Sequence, residues 1–283
     1  SHLATHLAAN GHRVSTLVRR SPSSPLESQW DPYAGIIDRE LIASCDAVVN
    51  LAGVSIAGNP HSRRWAEQVR SSRVRTTALV AETIARSPRA PTLIAGNGIS
   101  YYGDHGAEPL TERSESRGNA FLTGVTQEWQ AAADPALAAG ARVCILRTAP
   151  VLDRTTAPLK PMLSAFKCGM GARLGGGQQH FPIISRRDWV GAASYLLDSR
   201  DVAGVFNLCC PRTPTNAEFT DALARLVGRR ARLSVPSGVL RLATGPMSPE
   251  LLGSVNARPD ALIRAGYDFW DRDVDEVLAA AVG

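Results

Sequence analysis

Five residues in the stretch GISYYGDH carry groups that hold or pass protons: Ser100, Tyr101, Tyr102, Asp104 and His105. Proton transfer to a reacting oxygen needs a hydroxyl, phenol, carboxyl or imidazole at a fixed place, and this loop offers all four. The same loop also reads as a structural cap on a strand. A second feature is the pair Arg19-Arg20, which follows the apolar run Val14 to Val18. With no acid in LVRRSPSSP, the two guanidiniums make either an anion-binding tip or a solvated loop. His180, after GGGQQ, is one more candidate to face a pocket. His2, His6 and His12 have no partners at metal-ligand spacing, so no metal is expected.

Such groups need a frame, and the chain supplies one. Short β-branched runs recur at 13–18 (RVSTLV), 46–53 (DAVVNLAG), 91–98 (PTLIAGNG), 141–148 (ARVCILRT) and 204–209 (GVFNLC). Between them lie helical stretches at 64–86, 120–139 and 188–197. Near-continuous apolar strands alternating with helices predict an α/β fold: a Rossmann-type, doubly wound parallel sheet covered on both faces. Ligands of such sheets sit at the carboxyl ends of the strands. Here those ends read VRR (18–20), NLAG (50–53), AGNG (95–98) and RTAPV (147–151). At the second strand's end an acid suits the ribose of NAD, whereas arginine suits the 2′-phosphate of NADP. Arg19 therefore favours NADP(H) as the dinucleotide.

From Leu152 the rhythm loosens into a smaller, mostly helical lobe. Thr215 and Glu218 have the spacing of a capping box, and Gly228 ends that helix. Short helices are expected around Pro236, Pro246, Pro249 and Pro259. The division expected is 1–150 with about 187–209 for the dinucleotide lobe, and 151–186 with 210–283 for the substrate lobe.

Composition excludes several classes. The 283 residues carry 31 Lys and Arg against 26 Asp and Glu, for a net charge of +5. The basic residues are nearly all arginine and scattered rather than striped, which argues against nucleic acid as a partner. No apolar run approaches the roughly 20 residues that span a bilayer, so no membrane partner is expected. Five cysteines without C-x-x-C spacing read as reduced thiols of a cytoplasmic protein.

The motifs NLAGVSIAG, RRW, SSRVRTTALV, YYGD, LRTAPVLD, GGGQQ with Asp188, TNAEFTDAL and RPDALIRAGYDF occur in this order over the whole chain. Together they resemble the epimerase family protein group, the YfcH-like branch of the extended, atypical short-chain dehydrogenases/reductases, with its own small C-terminal domain. Members begin with a strand and a glycine-rich turn, and the opening SHLATHLAANG resembles the helix leaving that turn. The resemblance implies that Val18 and Arg19 hold the adenosine ribose phosphate. It further implies that Leu51, Ala52 and Gly53 line the cofactor with backbone, that Arg73 reaches it, and that Val151 lies by the nicotinamide.

The same superfamily uses a Tyr-x-x-x-Lys pair, in which the cation lowers the pKa of the phenol. Phe121 and Val125 stand at those two positions, Gly98 stands about where its serine would, and Ile183 and Ser185 replace a Trp and a His of the relatives. Phe121, Val125 and Trp129 instead recur every four residues, the spacing of an apolar helix face. Tyr102 fits the Y-G-D pattern that lines the substrate pocket, which leaves Tyr102, Tyr101 and Ser100 as candidate proton donors. Two functions are implied. One is an NADP-dependent oxidoreductase or epimerase-like enzyme acting on a small molecule, a sugar nucleotide among the options. The other is a dinucleotide-binding sensor or interaction protein without turnover. A monomer or homodimer fits either.

Overall fold

The computed structural model describes residues 2–283. The helix expected from Ser1 runs His2–Ala9, and Ser1 lies outside the described residues. Four strands form one parallel sheet in the order Gly204–Leu208, Val143–Thr148, Thr92–Gly98, Ala47–Asn50. The fifth expected strand, Thr16–Val18, pairs in parallel with Glu27–Gln29 as a separate ladder. That second partner was not expected, because Glu-Ser-Gln carries none of the apolar or β-branched signal of a strand.

Successive side chains of a strand point to opposite faces, and both faces here are covered. Leu93, Ala95, Val143 and Ile145 pack with Val80, Ala81 and Ile84 of the Arg63–Ala85 helix. Ile94, Cys144, Leu146, Phe206 and Leu208 pack instead with Val190, Ala193 and Leu196 of the Arg186–Asp198 helix, and with Leu3 and Leu7. Each large aliphatic side chain taken fully from water contributes about 1.5–3 kcal/mol. Apolar strands without polar alternation are the consequence of this two-sided burial. The fold is the Rossmann-type α/β expected.

The helices start where the caps say. Ser62 accepts from the Trp65 amide, Ser185 accepts from the Asp188 amide, and Thr215 with Glu218 closes both halves of the capping box. The helix expected over 120–139 divides into Phe121–Ala131 and Asp134–Ala138. Pro135 sits in the first turn of the second piece, where its missing N–H costs nothing.

The C-terminal region is mostly helical, with Leu152, Leu159, Leu163, Phe219, Leu223, Val277 and Leu278 in a third apolar cluster. Pro236 precedes the Ser237–Thr244 helix, Pro249 sits in the first turn of Ser248–Leu252, and Pro259 precedes Asp260–Arg264. A parallel pairing of Pro109–Leu110 with Asn256–Ala257 ties this region to the loop beyond Tyr102. All five cysteines are free thiols. Among the described residues no helix is long and apolar enough to cross a membrane.

The turn after Tyr102 depends on a glycine. Gly103 has φ +71°, and a Cβ there would lie 1.9 Å from the Arg117 carbonyl oxygen. Gly106 has φ +60° with nothing within 4 Å of the same position. Gly106→Ala is therefore expected to cost only the left-handed backbone penalty of about 1–2 kcal/mol. Gly103→Ala should exceed it by a further ~1–3 kcal/mol of overpacking. Urea denaturation of both variants checks this; equal losses would contradict the close approach.

Candidate functional site

The four parallel strands of the sheet bring their carboxyl ends to one edge, while Thr16–Val18 ends in its own ladder with Glu27–Gln29. At the Thr16–Val18 end the two arginines divide their work. Arg20 binds the Glu27 carboxylate through two hydrogen bonds of 2.9 and 2.5 Å. The Arg20 bonds, helped by the Ser23 amide and hydroxyl, hold the Glu27 carboxyl down to about 2. Arg19 is exposed and, among the described residues, makes no hydrogen bond or ion pair. The acid missing from LVRRSPSSP thus arrives from the next strand, and it occupies only Arg20. Val18 is half-buried beside it.

Leu51, Ala52 and Gly53 run out from the Ala47–Asn50 strand, with Leu51 and Gly53 exposed. Arg73 reaches this segment from the Arg63–Ala85 helix. Its guanidinium donates to the Val54 carbonyl at 3.1 Å and to the Val69 carbonyl at 3.0 Å. A Cβ on Gly53 would stand 3.3 Å from the Arg73 Cζ, so only glycine leaves that contact undisturbed. The Trp129 ring lies 5.3 Å from the same carbon. Burial lowers the Arg73 pKa from its ordinary value. Val151 opens the short strand Val151–Leu152, paired in parallel with Ile184–Ser185.

The proton-bearing loop separates its members. Tyr102 is fully buried. Its hydroxyl donates to Asn207 Oδ1 at 2.7 Å and accepts from Arg147 at 2.9 Å. Desolvation pushes this phenol up to about 12, although the Arg147 charge opposes it. Tyr102 is thus the most enclosed of the three candidate hydroxyls, whereas Ser100 and Tyr101 are half-buried. Arg147, also buried, bonds Gln130 Oε1 at 3.2 and 3.0 Å and stacks on Tyr101, whose ring centre is 3.4 Å away. Tyr101 is thereby held face-on to a cation.

Ser100 is different. Its hydroxyl donates to the Glu250 carboxylate at 2.6 Å, and its carbonyl accepts from Thr123 Oγ1 at 3.0 Å. Burial raises the Glu250 pKa, with the Ser100 bond opposing. Nothing about spacing could have found Glu250, which lies 150 positions away; a lone acid in the run ATGPMSPELLG was the one available sign.

The remaining candidates are structural in their contacts. Phe121 stacks at 5.5 Å on Trp65, Val125 is fully buried, and the Trp129 indole donates to Thr77 at 2.9 Å. His180 bridges Thr215 and contacts Ser254. His105 is buried against the Tyr102 carbonyl at 3.1 Å. Asp188 accepts from the Trp270 and Asp271 amides and from the Tyr267 hydroxyl, which fixes the C-terminal turn on the Arg186–Asp198 helix.

The chain is similar to known proteins over nearly its whole length. Residues 235–281 match a family model described as a domain of unknown function, DUF1731. The epimerase family protein Mb2239 of Mycobacterium bovis is 37% identical over 282 residues, covering 99% of this chain and 93% of that protein. The epimerase family protein SDR39U1 of Homo sapiens is 35% identical over 269 residues, covering 93% and 89%. The crystal structure of human SDR39U1 isoform 2 with NADPH superimposes with a TM-score of 0.85 at 31% identity, over 99% of this chain and 94% of that one.

The Tyr102 hydroxyl should show itself in stability. Tyr102→Phe leaves an Arg147 donor and the Asn207 oxygen unpaired in the interior, at about 1–3 kcal/mol. An unfolded phenol ionises near 10, whereas folded Tyr102 keeps its proton to about 12. Stability is therefore lost as pH rises from about 10 towards 12, and that part of the loss should disappear in Tyr102→Phe. Tyr267, also raised by burial, leaves its own share in both proteins. Denaturation at neutral and alkaline pH measures the difference; identical pH slopes would contradict the burial.

Proposed function

This chain belongs to the epimerase family proteins, and from that premise we propose that it binds NADP(H) at the carboxyl ends of its parallel strands as an oxidoreductase or epimerase-like enzyme. The substrate class is a small molecule with a carbonyl or carbinol carbon, sugar nucleotides among them. The cofactor, when bound, supplies or accepts hydride. Every other task falls to the chain.

The observation that carries the reading is the division of labour between Arg19 and Arg20. Glu27 neutralises Arg20, while Arg19 stays exposed and unpaired among the described residues. A free guanidinium at that strand end suits the 2′-phosphate, which NADP has and NAD lacks. Leu51, Ala52 and Gly53 suit a flat ligand through backbone, since Gly53 is exposed and carries no side chain, with Arg73 the nearest neighbour of its Cβ position. Arg73 adds a fixed positive charge there, and Val151 an apolar wall. The NADPH in the human relative supports the same choice of cofactor. Ser100 holds the hydroxyl nearest in kind to a proton donor, with Tyr101 as an aromatic surface beside it.

A second reading rests on the enclosed Tyr102 and the apolar Phe121 and Val125. A site without the phenol–ammonium pair suits a dinucleotide-binding sensor with no turnover. Both readings need the cofactor.

Calorimetry with NADPH and NADH tests that shared premise. Charge-assisted bonds to the 2′-phosphate contribute on the order of 1.5–3 kcal/mol, so NADPH should bind at least about tenfold more tightly. Arg19→Ala should erase that preference and leave NADH affinity nearly unchanged, whereas Arg20→Ala should spare most of it. Equal affinities in the wild type, or a preference that survives Arg19→Ala, would sink the assignment.

A further inference from the structure

Ser100 and Glu250 meet across two parts of the chain through one 2.6 Å hydrogen bond. Ser100 belongs to the turn Ile99–Tyr101 directly after the Thr92–Gly98 strand, at the carboxyl edge where the proposed cofactor site lies. Glu250 belongs to the Ser248–Leu252 helix of the C-terminal region, within the segment matched as a domain of unknown function. Other bonds join these parts through backbone groups, such as Asp104 with the Ser254 amide and Asn256 with the Ala107 carbonyl, whereas Ser100 and Glu250 meet side chain to side chain. A carboxyl carried into such a place is costly unless bonded, and apolar packing would hold the parts together equally well.

Charged side chains on the neighbouring segments have contacts of their own. Arg147 faces Tyr101, Tyr102 and Gln130. Asp104 accepts from the Gly106 and Ser254 amides. His61 lies against Gly245, on the turn that precedes the Glu250 helix. Ser100 is the hydrogen-bond partner of Glu250 among the described residues, and burial favours the neutral acid. A carboxyl within 2.6 Å of a hydroxyl has the reach to exchange a proton with it.

We propose that Glu250 and Ser100 form a proton relay, by which the C-terminal region supplies the proton that Phe121 and Val125 cannot. The inference rests on the oxidoreductase reading above. In the reducing direction the substrate carbonyl carbon accepts hydride from the reduced nicotinamide. When Glu250 carries its proton the 2.6 Å contact runs the other way, its O–H donating to Ser100 Oγ; the substrate oxygen then takes the Ser100 proton as Ser100 Oγ takes the Glu250 proton. Two O–H bonds break and two form. The Glu250 carboxylate that remains is refilled from water, and the oxidising direction runs in reverse. Ser100 touches substrate; Glu250 acts through it. The backbone bond from Thr123 Oγ1 keeps Ser100 in register.

The test reads the proton before it reads turnover. Infrared difference spectra of wild type against Glu250→Gln, a near-isosteric change, should show the C=O stretch of one neutral carboxylic acid. That band should titrate above the ordinary glutamate value of about 4.3. It should shift in frequency in Ser100→Ala. NADPH-dependent reduction of 9,10-phenanthrenequinone then serves as the carbonyl probe. Glu250→Gln should lower kcat by about 10²–10⁴-fold and abolish the decline of rate with rising pH, with NADPH affinity unchanged. Glu250→Asp should restore part of the rate. Absence of the band overturns the relay whatever the protein turns over. A present band with NADPH bound and no quinone reduction, or with kcat unchanged in Glu250→Gln, also overturns it and leaves the cofactor reading standing. Failure of the wild type to bind NADPH defeats the cofactor reading and, with it, the relay, whether or not the band is seen.

Discussion

Arg147 is a buried cation with no carboxylate to pair with among the described residues, and the geometry of the site follows from how that charge is satisfied. Desolvating a guanidinium costs several kcal/mol unless its nitrogens are hydrogen-bonded. Here the Gln130 amide oxygen takes two donors, the Tyr102 hydroxyl takes one, and the Tyr101 ring covers the flat face. The Tyr102 hydroxyl donates in turn to Asn207 Oδ1, and the Asn207 amide donates to the Arg258 carbonyl at 2.9 Å. Arg147 pairs in register with Asn97 on one side and Asn207 on the other, so this polar row crosses three strands. Removing any member strands a buried group. The loop of Ser100 and Tyr101 is thus fixed to the sheet by electrostatics, and the C-terminal region is fixed to the loop.

The sheet was legible because its physics is local and repeated. Strands buried on both faces must be apolar throughout, and PTLIAGNG and ARVCILRT state that without help from distant residues. The capping box at Thr215 and Glu218 was legible for the same reason, since both partners sit within one turn. Glu27–Gln29 was not, because its pairing depends on the neighbouring strand and its three polar residues signal nothing. The Phe121 helix was read correctly as packing, and its break at Pro135 lay in plain view.

The site was half legible. Arg19 and Arg20 could be named from type and position, but which one was free depended on Glu27 reaching back across a parallel pair. Tyr102 has the chemistry of a proton donor, and its full burial can be known only after the fold. Glu250 was invisible for the opposite reason. A lone glutamate on a five-residue helix acquires meaning only when the chain folds it against Ser100. Local pattern names candidates; long-range contact decides between them.

The central claim is that cofactor and proton source meet at the carboxyl edge of the sheet, between Arg19 and the Ser100–Glu250 pair. A crystal structure of this protein with NADPH tests it most directly. The account requires the 2′-phosphate on Arg19, the chain of the cofactor along Leu51 to Gly53, and the nicotinamide opening onto Ser100 beside Val151. A 2′-phosphate held elsewhere, or a nicotinamide turned away from Ser100, would contradict it.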